Sequence, residues 1–240
     1  MEPFDFLKNK TTQSDNSQKE QTNFSVGDIF YTKTDENYNL YKLLVDDKEF
    51  DCYHVLTYSP LDRLPTISNL DNLQVFVYHA PFDKKAFEGA TLLANKQIVS
   101  EDLVGYHEYL RQTQEPNYYI SIAKGYYKEG LKLTDEKKHY EAIDSYSKAA
   151  DLFPQFFEAI DNRAFCKMDL ALWTDAIEDF KLSLLQNPNS LLAEFSIGEC
   201  YFKIGDFQNA KRQFEIAHKI DPNHKAPRQY LDKVNTILNK

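Results

Sequence analysis

From Ala142 onward the chain sets small and aromatic residues at fixed intervals. Ala142, Ala176 and Ala210 stand 34 residues apart. Tyr146, Phe180 and Phe214 follow four positions later, and Ala149, Ser183 and Ala217 three positions after those. Spacings of i, i+4 and i+7 place each trio on one face of a helix. Small residues at both ends of that face let a neighbouring helix come close, and the aromatic fills the space between them. Pro154, Pro188 and Pro222 keep the same interval and stop the helix, because proline cannot extend the ladder of backbone bonds. Asn187 and Asp221 precede two of these prolines and tolerate the non-helical conformation required there. Each copy therefore reads as two helices. In the second copy these run from Phe157 to about Met168 and from Thr174 to about Gln186. After Pro222, the segment Arg228 to Asn239 carries Tyr230, Leu231, Val234, Ile237 and Leu238 among charges and predicts an amphipathic closing helix.

The N-terminal half has a different pattern. Asn9 to about Thr22 is almost wholly polar and predicts a disordered tail over 1–23, with Phe4 and Phe6 ahead of it as a short docking element or a plain terminus. From Phe24, runs rich in β-branched and aromatic residues predict strands at Ile29–Thr32, Tyr38–Val45, Phe50–Tyr58 and Leu73–His79. Polar turns at Asp35-Glu36-Asn37 and Asp46-Asp47-Lys48 separate them. Such a succession predicts a small antiparallel β domain over 24–116, a meander or barrel. Ser100 is placed to cap a helix from Glu101 to about Arg111, and Gln112 to Asn117, marked by Pro116, is the expected junction.

These residues carry a resemblance. The segment 118–240 resembles a tetratricopeptide repeat array, with copies at 123–156, 157–190 and 191–224. Gly130, Ala164 and Gly198 occupy the small eighth position, and Tyr126 and Ile160 fit the large fourth position, whereas Glu194 departs from it. The entry Phe24-Ser25-Val26-Gly27-Asp28 faintly resembles SH3-like barrels. The repeat resemblance implies a concave groove lined by the first helix of each pair. Carried onto this chain, the groove holds Lys124, Tyr127, Leu131, Thr134 and Asp135, then Glu158, Asp161, Phe165, Met168 and Asp169, then Leu192, Phe195, Glu199, Phe202 and Lys203. Members that dock chaperone C-termini grip a carboxylate with Lys, Asn and Arg at positions that here hold Tyr127, Leu131, Asn162, Phe195 and Glu199. Only Asn162 matches, so no docking of an acidic chaperone C-terminal peptide is expected. Phe165, Phe195 and Phe202 are alternatively covered by the protein's own N-terminal domain or tail.

Charge sharpens the partner class. The formal charge is −9 in 240 residues, and 19 acidic against 11 basic residues lie before Asn117. A net-acidic surface repels phosphate backbones and favours a basic partner. Three cysteines are no disulfide framework, and Cys52, Cys166 and Cys200 read as small buried side chains. With 7 glycines there is no phosphate-cradling loop, and no serine lies in a nucleophile elbow. The six histidines (54, 79, 107, 139, 218 and 224) show no paired metal-ligand spacing. His54 and His79 can face each other across a sheet and read as partly buried or edge residues. The acidic turns read as solvated carboxylates, not a calcium loop.

The expected fold class is α+β: the small antiparallel domain followed by an α-solenoid of three helix pairs with a capping helix. The expected function is a non-enzymatic adaptor binding a protein or peptide with apolar anchors and basic residues, without cofactor, metal, nucleic acid or membrane. The absence of a leader or long apolar run points to the cytoplasm. Two alternatives stand beside it: an immunity- or inhibitor-type protein whose acidic N-terminal half masks a basic toxin or enzyme, and an enzyme or ligand-binding unit in the β domain.

Overall fold

A computed structural model describes residues 23–239, so the tail and its Phe4 and Phe6 lie outside the described residues. Five strands come first: β1 (Asp28–Lys33), β2 (Tyr38–Asp47), β3 (Cys52–Tyr58), β4 (Val75–Asp83) and β5 (Thr91–Asn95). They form one antiparallel sheet in the order β4-β3-β2-β1-β5. Four were legible as apolar runs. The fifth, Thr-Leu-Leu-Ala-Asn, is short and largely uncovered at the sheet edge, so its sequence carries little alternation. Three boundaries differ from expectation, the first being β3, which begins at Cys52 because Phe50 and Asp51 lie in the turn before it. Asp46 and Asp47 are the last residues of β2, not a solvated turn: they are half-buried, and the turn itself runs over 48–51, with Asp51 at φ 50°. Leu73 precedes β4, which instead continues through Pro81 on the outer strand, where a missing amide costs no ladder bond.

Alternation along β2 and β3 serves two covers. Leu43, Tyr53 and Val55 face a core with Phe24, Phe30, Phe87 and Ala90. Leu44 and Leu56 face the opposite way, into a cluster with Leu103, Tyr106, Leu110, Ala123 and Leu152. That second cluster draws on the sheet and on the helices alike.

Eight α-helices follow: α1 (Val104–Thr113), α2 (Pro116–Asp135), α3 (His139–Leu152), α4 (Phe157–Asp169), α5 (Trp173–Gln186), α6 (Leu191–Lys203), α7 (Phe207–Ile220) and α8 (Lys225–Leu238). A 3-10 turn over Ser100–Leu103 leads into α1, so the expected helix begins later. Ser100 does not cap it: its buried amide donates to Asp144 Oδ1 (2.8 Å), while the Asp102 carboxylate accepts the Val99 amide (2.9 Å). Pro116 sits at the first position of α2, where its missing N–H is harmless. This helix starts before the expected first copy, and its added turns carry Tyr119 and Ile122 onto the shared cluster.

The 34-residue period appears in three dimensions as expected. Ala142, Tyr146, Ala149, Ala176, Phe180, Ser183, Ala210, Phe214 and Ala217 are all fully buried. Gly130 and Gly198 admit the facing aromatics so closely that a Cβ would lie 2.5 Å from Tyr146 and 2.6 Å from Phe214. The turn inside each pair places one residue in the left-handed region at the same repeat position: Lys137 (φ 63°), Ala171 (φ 58°) and Gly205 (φ 83°). Cys166 and Cys200 are buried and free, and burial pushes the Cys200 thiol up to about 12. Glu194, the residue that departs from the pattern, is half-buried, and burial raises its carboxyl. The closing helix α8 seals Ala210 and Phe214 with Val234, Tyr230 and Leu231.

Candidate functional site

Packing between successive helices fixes one face of α2, α4 and α6 against their partners, and the residues expected in the groove lie on these three helices. In the first two copies they meet across the repeat boundary. Asn162 Nδ2 donates to the Tyr127 hydroxyl (3.2 Å) and to the Glu158 carbonyl (2.8 Å), tying α4 to α2. Tyr127 leans on Phe156 and Tyr146, with ring centroids 4.8 and 5.8 Å away. Burial raises its phenol first, and the nearby Glu158 charge adds to that. Phe165 lies edge-on to Phe180 (5.1 Å) and, with Met168, borders the core of the second pair. Lys124, Leu131, Glu158 and Leu192 are exposed, as are Asp135, Asp169 and Lys203.

Other expected groove residues are committed elsewhere. Thr134 turns inward: its hydroxyl lies 3.1 Å from the Tyr146 hydroxyl and 3.3 Å from Cys166 Sγ. Asp161 is buried at 7 % exposure, and burial raises its carboxyl, so it is no open carboxylate of a groove. Phe195 and Phe202 pack edge-on against Tyr230 of α8, at 5.3 and 5.8 Å. Glu199 stands beside the same tyrosine. The aromatic residues of the third copy thus lean on the protein's own closing helix and, like Tyr127 and Phe165, are half-buried.

Behind these helices, Arg163 of α4 forks onto Asp179 of α5, with Nε–Oδ2 3.0 Å and Nη2–Oδ1 2.8 Å. Lys167 reaches the same carboxylate at 2.7 Å, and Arg163 Nη1 donates to Ser147. This buried network holds α3, α4 and α5 in register. Beside it lies a cavity of about 500 Å³, lined among others by His107, Arg111, Arg163, Leu182 and Leu185. His107 is 1 % exposed, and neither ring nitrogen finds a partner among the described residues. Burial, then the Arg111 and Lys148 charges, lower its pKa to about 4.

The sheet gathers a second group that spacing did not disclose. Asp47, Cys52 and His54 offer ligand atoms within 4.8 Å of one another, and His54 Nδ1 lies 2.7 Å from His79 Nε2. The expected facing of His54 and His79 is thus observed. The available signal was the alternation of a strand, which sets residues i and i+2 on one face.

No family model matches the chain. It is 24% identical over 116 residues to DnaJ homolog subfamily C member 7 of Mus musculus, covering 48% of this chain and 24% of that protein. It is 27% identical over 103 residues to small glutamine-rich tetratricopeptide repeat-containing protein 2 of Mycosarcoma maydis, covering 43% of this chain and 29% of that protein. The chain thus spans about a quarter of the length of these relatives. Among solved structures it is similar to the first TPR of Spaghetti (RPAP3) bound to an HSP90 peptide: 26% identity, TM-score 0.47, 49% of this chain and 94% of that one.

Proposed function

We propose that the C-terminal half, a tetratricopeptide-repeat solenoid, serves a non-enzymatic adaptor that binds a peptide along the inner face of its first two helix pairs. The observation that carries this reading is the strip formed by exposed Leu131 and half-buried Tyr127, Phe165 and Met168 on α2 and α4, bridged by the Tyr127–Asn162 bond. A half-buried aromatic and aliphatic strip with polar atoms already tied in place gives an incoming side chain a rigid apolar seat. Glu158 lies exposed beside it and suits a basic residue flanking the apolar anchor. Helix-in-groove and extended modes both fit a surface of this kind.

The five positions that grip a carboxylate in chaperone-docking members supply no cation here. An acidic C-terminal peptide is therefore the decisive competitor, the more so because one similar domain is bound to an HSP90 peptide. The test is a random-peptide display selection on the full chain, followed by calorimetry. Enriched peptides should carry one or two apolar anchors next to Lys or Arg. Their affinity should fall at least about tenfold in Phe165→Ala with the fold retained, and a peptide ending in an acidic carboxy terminus should give no heat. Tight binding of the acidic peptide, or indifference to Phe165→Ala, overturns the reading.

A further inference from the structure

We propose that Asp47, Cys52 and His54 bind a divalent transition-metal ion of the zinc class at the turn end of the β2–β3 hairpin. Sheet register brings them together. Asp47 and Cys52 are direct partners across the two strands, and His54 shares a strand face with Cys52 two residues away. His54 Nε2 lies 3.6 Å from Asp47 Oδ2 and 3.8 Å from Cys52 Sγ. Bonds of about 2.0–2.3 Å in a tetrahedral shell put neighbouring ligand atoms roughly 3.3–3.6 Å apart. His54 thus stands near ligand spacing from both partners, and the ligand atoms of Asp47 and Cys52 lie within 4.8 Å of each other, so closing onto an ion draws those two together.

Contacts around the site hold Asp47 and His54 in place, whereas the ion itself must displace the Cys52 thiol proton, which burial and the Asp47 charge otherwise retain. Asp47 Oδ1 accepts the Glu49 and Phe50 amides (3.0 and 3.1 Å), which fixes the carboxylate and leaves Oδ2 turned to His54. A metal on Nε2 requires the proton of His54 on Nδ1, and there it donates to His79 Nε2 at 2.7 Å. An outer partner of that kind orients a ligating imidazole and raises its basicity. Tyr106 and Tyr109 of α1 hold both rings, with centroid distances of 4.7–5.6 Å. The cation already nearby, Lys84, is engaged by Asp46 (2.8 Å) and Asp51 (3.2 Å).

Donor chemistry selects the ion. One thiolate, one imidazole and one carboxylate suit zinc and its neighbours, whereas calcium and magnesium prefer oxygen alone. His54 is buried, but Cys52 and Asp47 are half-buried. Three protein ligands with an accessible side leave the fourth position to water.

The test uses the full chain after chelation, with Zn2+ and Co2+ as probes. One Zn2+ per chain should bind, and Co2+ should produce a thiolate-to-cobalt charge-transfer band. Cys52→Ser should remove the band and weaken Zn2+ binding by more than about 100-fold, while His79→Gln should keep the band and weaken binding about 10–100-fold. Circular dichroism of the full chain and its denaturant unfolding report whether each variant folds. Should Cys52→Ser fail to fold, Asp47→Asn replaces it, with the same direction expected for Zn2+ affinity. In the unaltered chain, Zn2+ should also slow alkylation of Cys52. Absence of the band, equal Zn2+ affinity in the folded ligand variants, or unprotected Cys52 means that Asp47, Cys52 and His54 are neighbours across the hairpin that hold no ion.

Discussion

The repeats and the sheet close their cores by opposite means. In the repeats each buried aromatic meets a small residue of its own helix pair, as Tyr146 meets Gly130 and Phe214 meets Gly198. The contacts are local in sequence and recur every 34 residues. In the sheet, closure depends on distant segments. Lys42, 5 % exposed, reaches Asp102 (2.6 Å) and the Gln97 carbonyl (3.1 Å). Lys148 of α3 donates to the Ile98 carbonyl (2.6 Å), and the Ser100 amide donates to Asp144. One face of the sheet is finished only when α1 and the first helix pair lie on it. The two ends of the solenoid are thus sealed differently: a single amphipathic helix, α8, covers one, and a whole β domain covers the other.

If that shared cluster joins the halves, a change in the sheet must be felt in the repeats. Leu44→Ala removes a side chain 2 % exposed in the cluster and should cost about 2–5 kcal/mol. Trp173, the one tryptophan, lies in α5, far along the chain from β2. Its fluorescence transition in urea should shift by the same free energy as the circular dichroism of the whole chain. A Trp173 transition that stays put would separate the halves and break the comparison.

A pH titration sharpens it at the junction itself. His107 has a folded pKa of about 4 against 6.5 unfolded, so the unfolded chain binds more protons in that interval. Stability present above pH 6.5 should fall as pH drops, by up to about 3 kcal/mol at pH 4. His79 shifts in the same direction, also to about 4, so the junction's share is read as a difference. Denaturant midpoints of His107→Leu should lose part of the slope between pH 6.5 and 4. An unchanged slope would mean that the imidazole charges freely in the fold.

The smallest effect belongs to the repeats alone. Ala171 occupies a left-handed conformation that Gly205 fills without strain in the next copy. Ala171→Gly should stabilise by about 0.5–1 kcal/mol after the added freedom of the unfolded chain is subtracted. Thermal unfolding read at Trp173 checks this. A loss of stability would show that the turn tolerates alanine at no cost.

The chain's own pattern determined the helices, their 34-residue interval and the identity of each buried trio. These depend on neighbours within one or two turns, and helical periodicity writes such neighbours into the sequence. It also placed four strands and the facing of His54 and His79. Three things lay beyond it. Phe195 and Phe202 satisfy the groove pattern, yet both also pack against Tyr230 of α8, a contact between segments that the repeat period does not encode. Leu44 and Leu56 read as ordinary strand residues, and only the docking of α1, α2 and α3 makes them part of a common core. Asp47, Cys52 and His54 share no spacing motif, since hairpin register and not sequence distance sets their approach. Periodic order is local and can be read along one dimension. Which faces end up covered, and which side chains converge, depends on contacts between segments far apart in the chain, and those exist only in the folded protein.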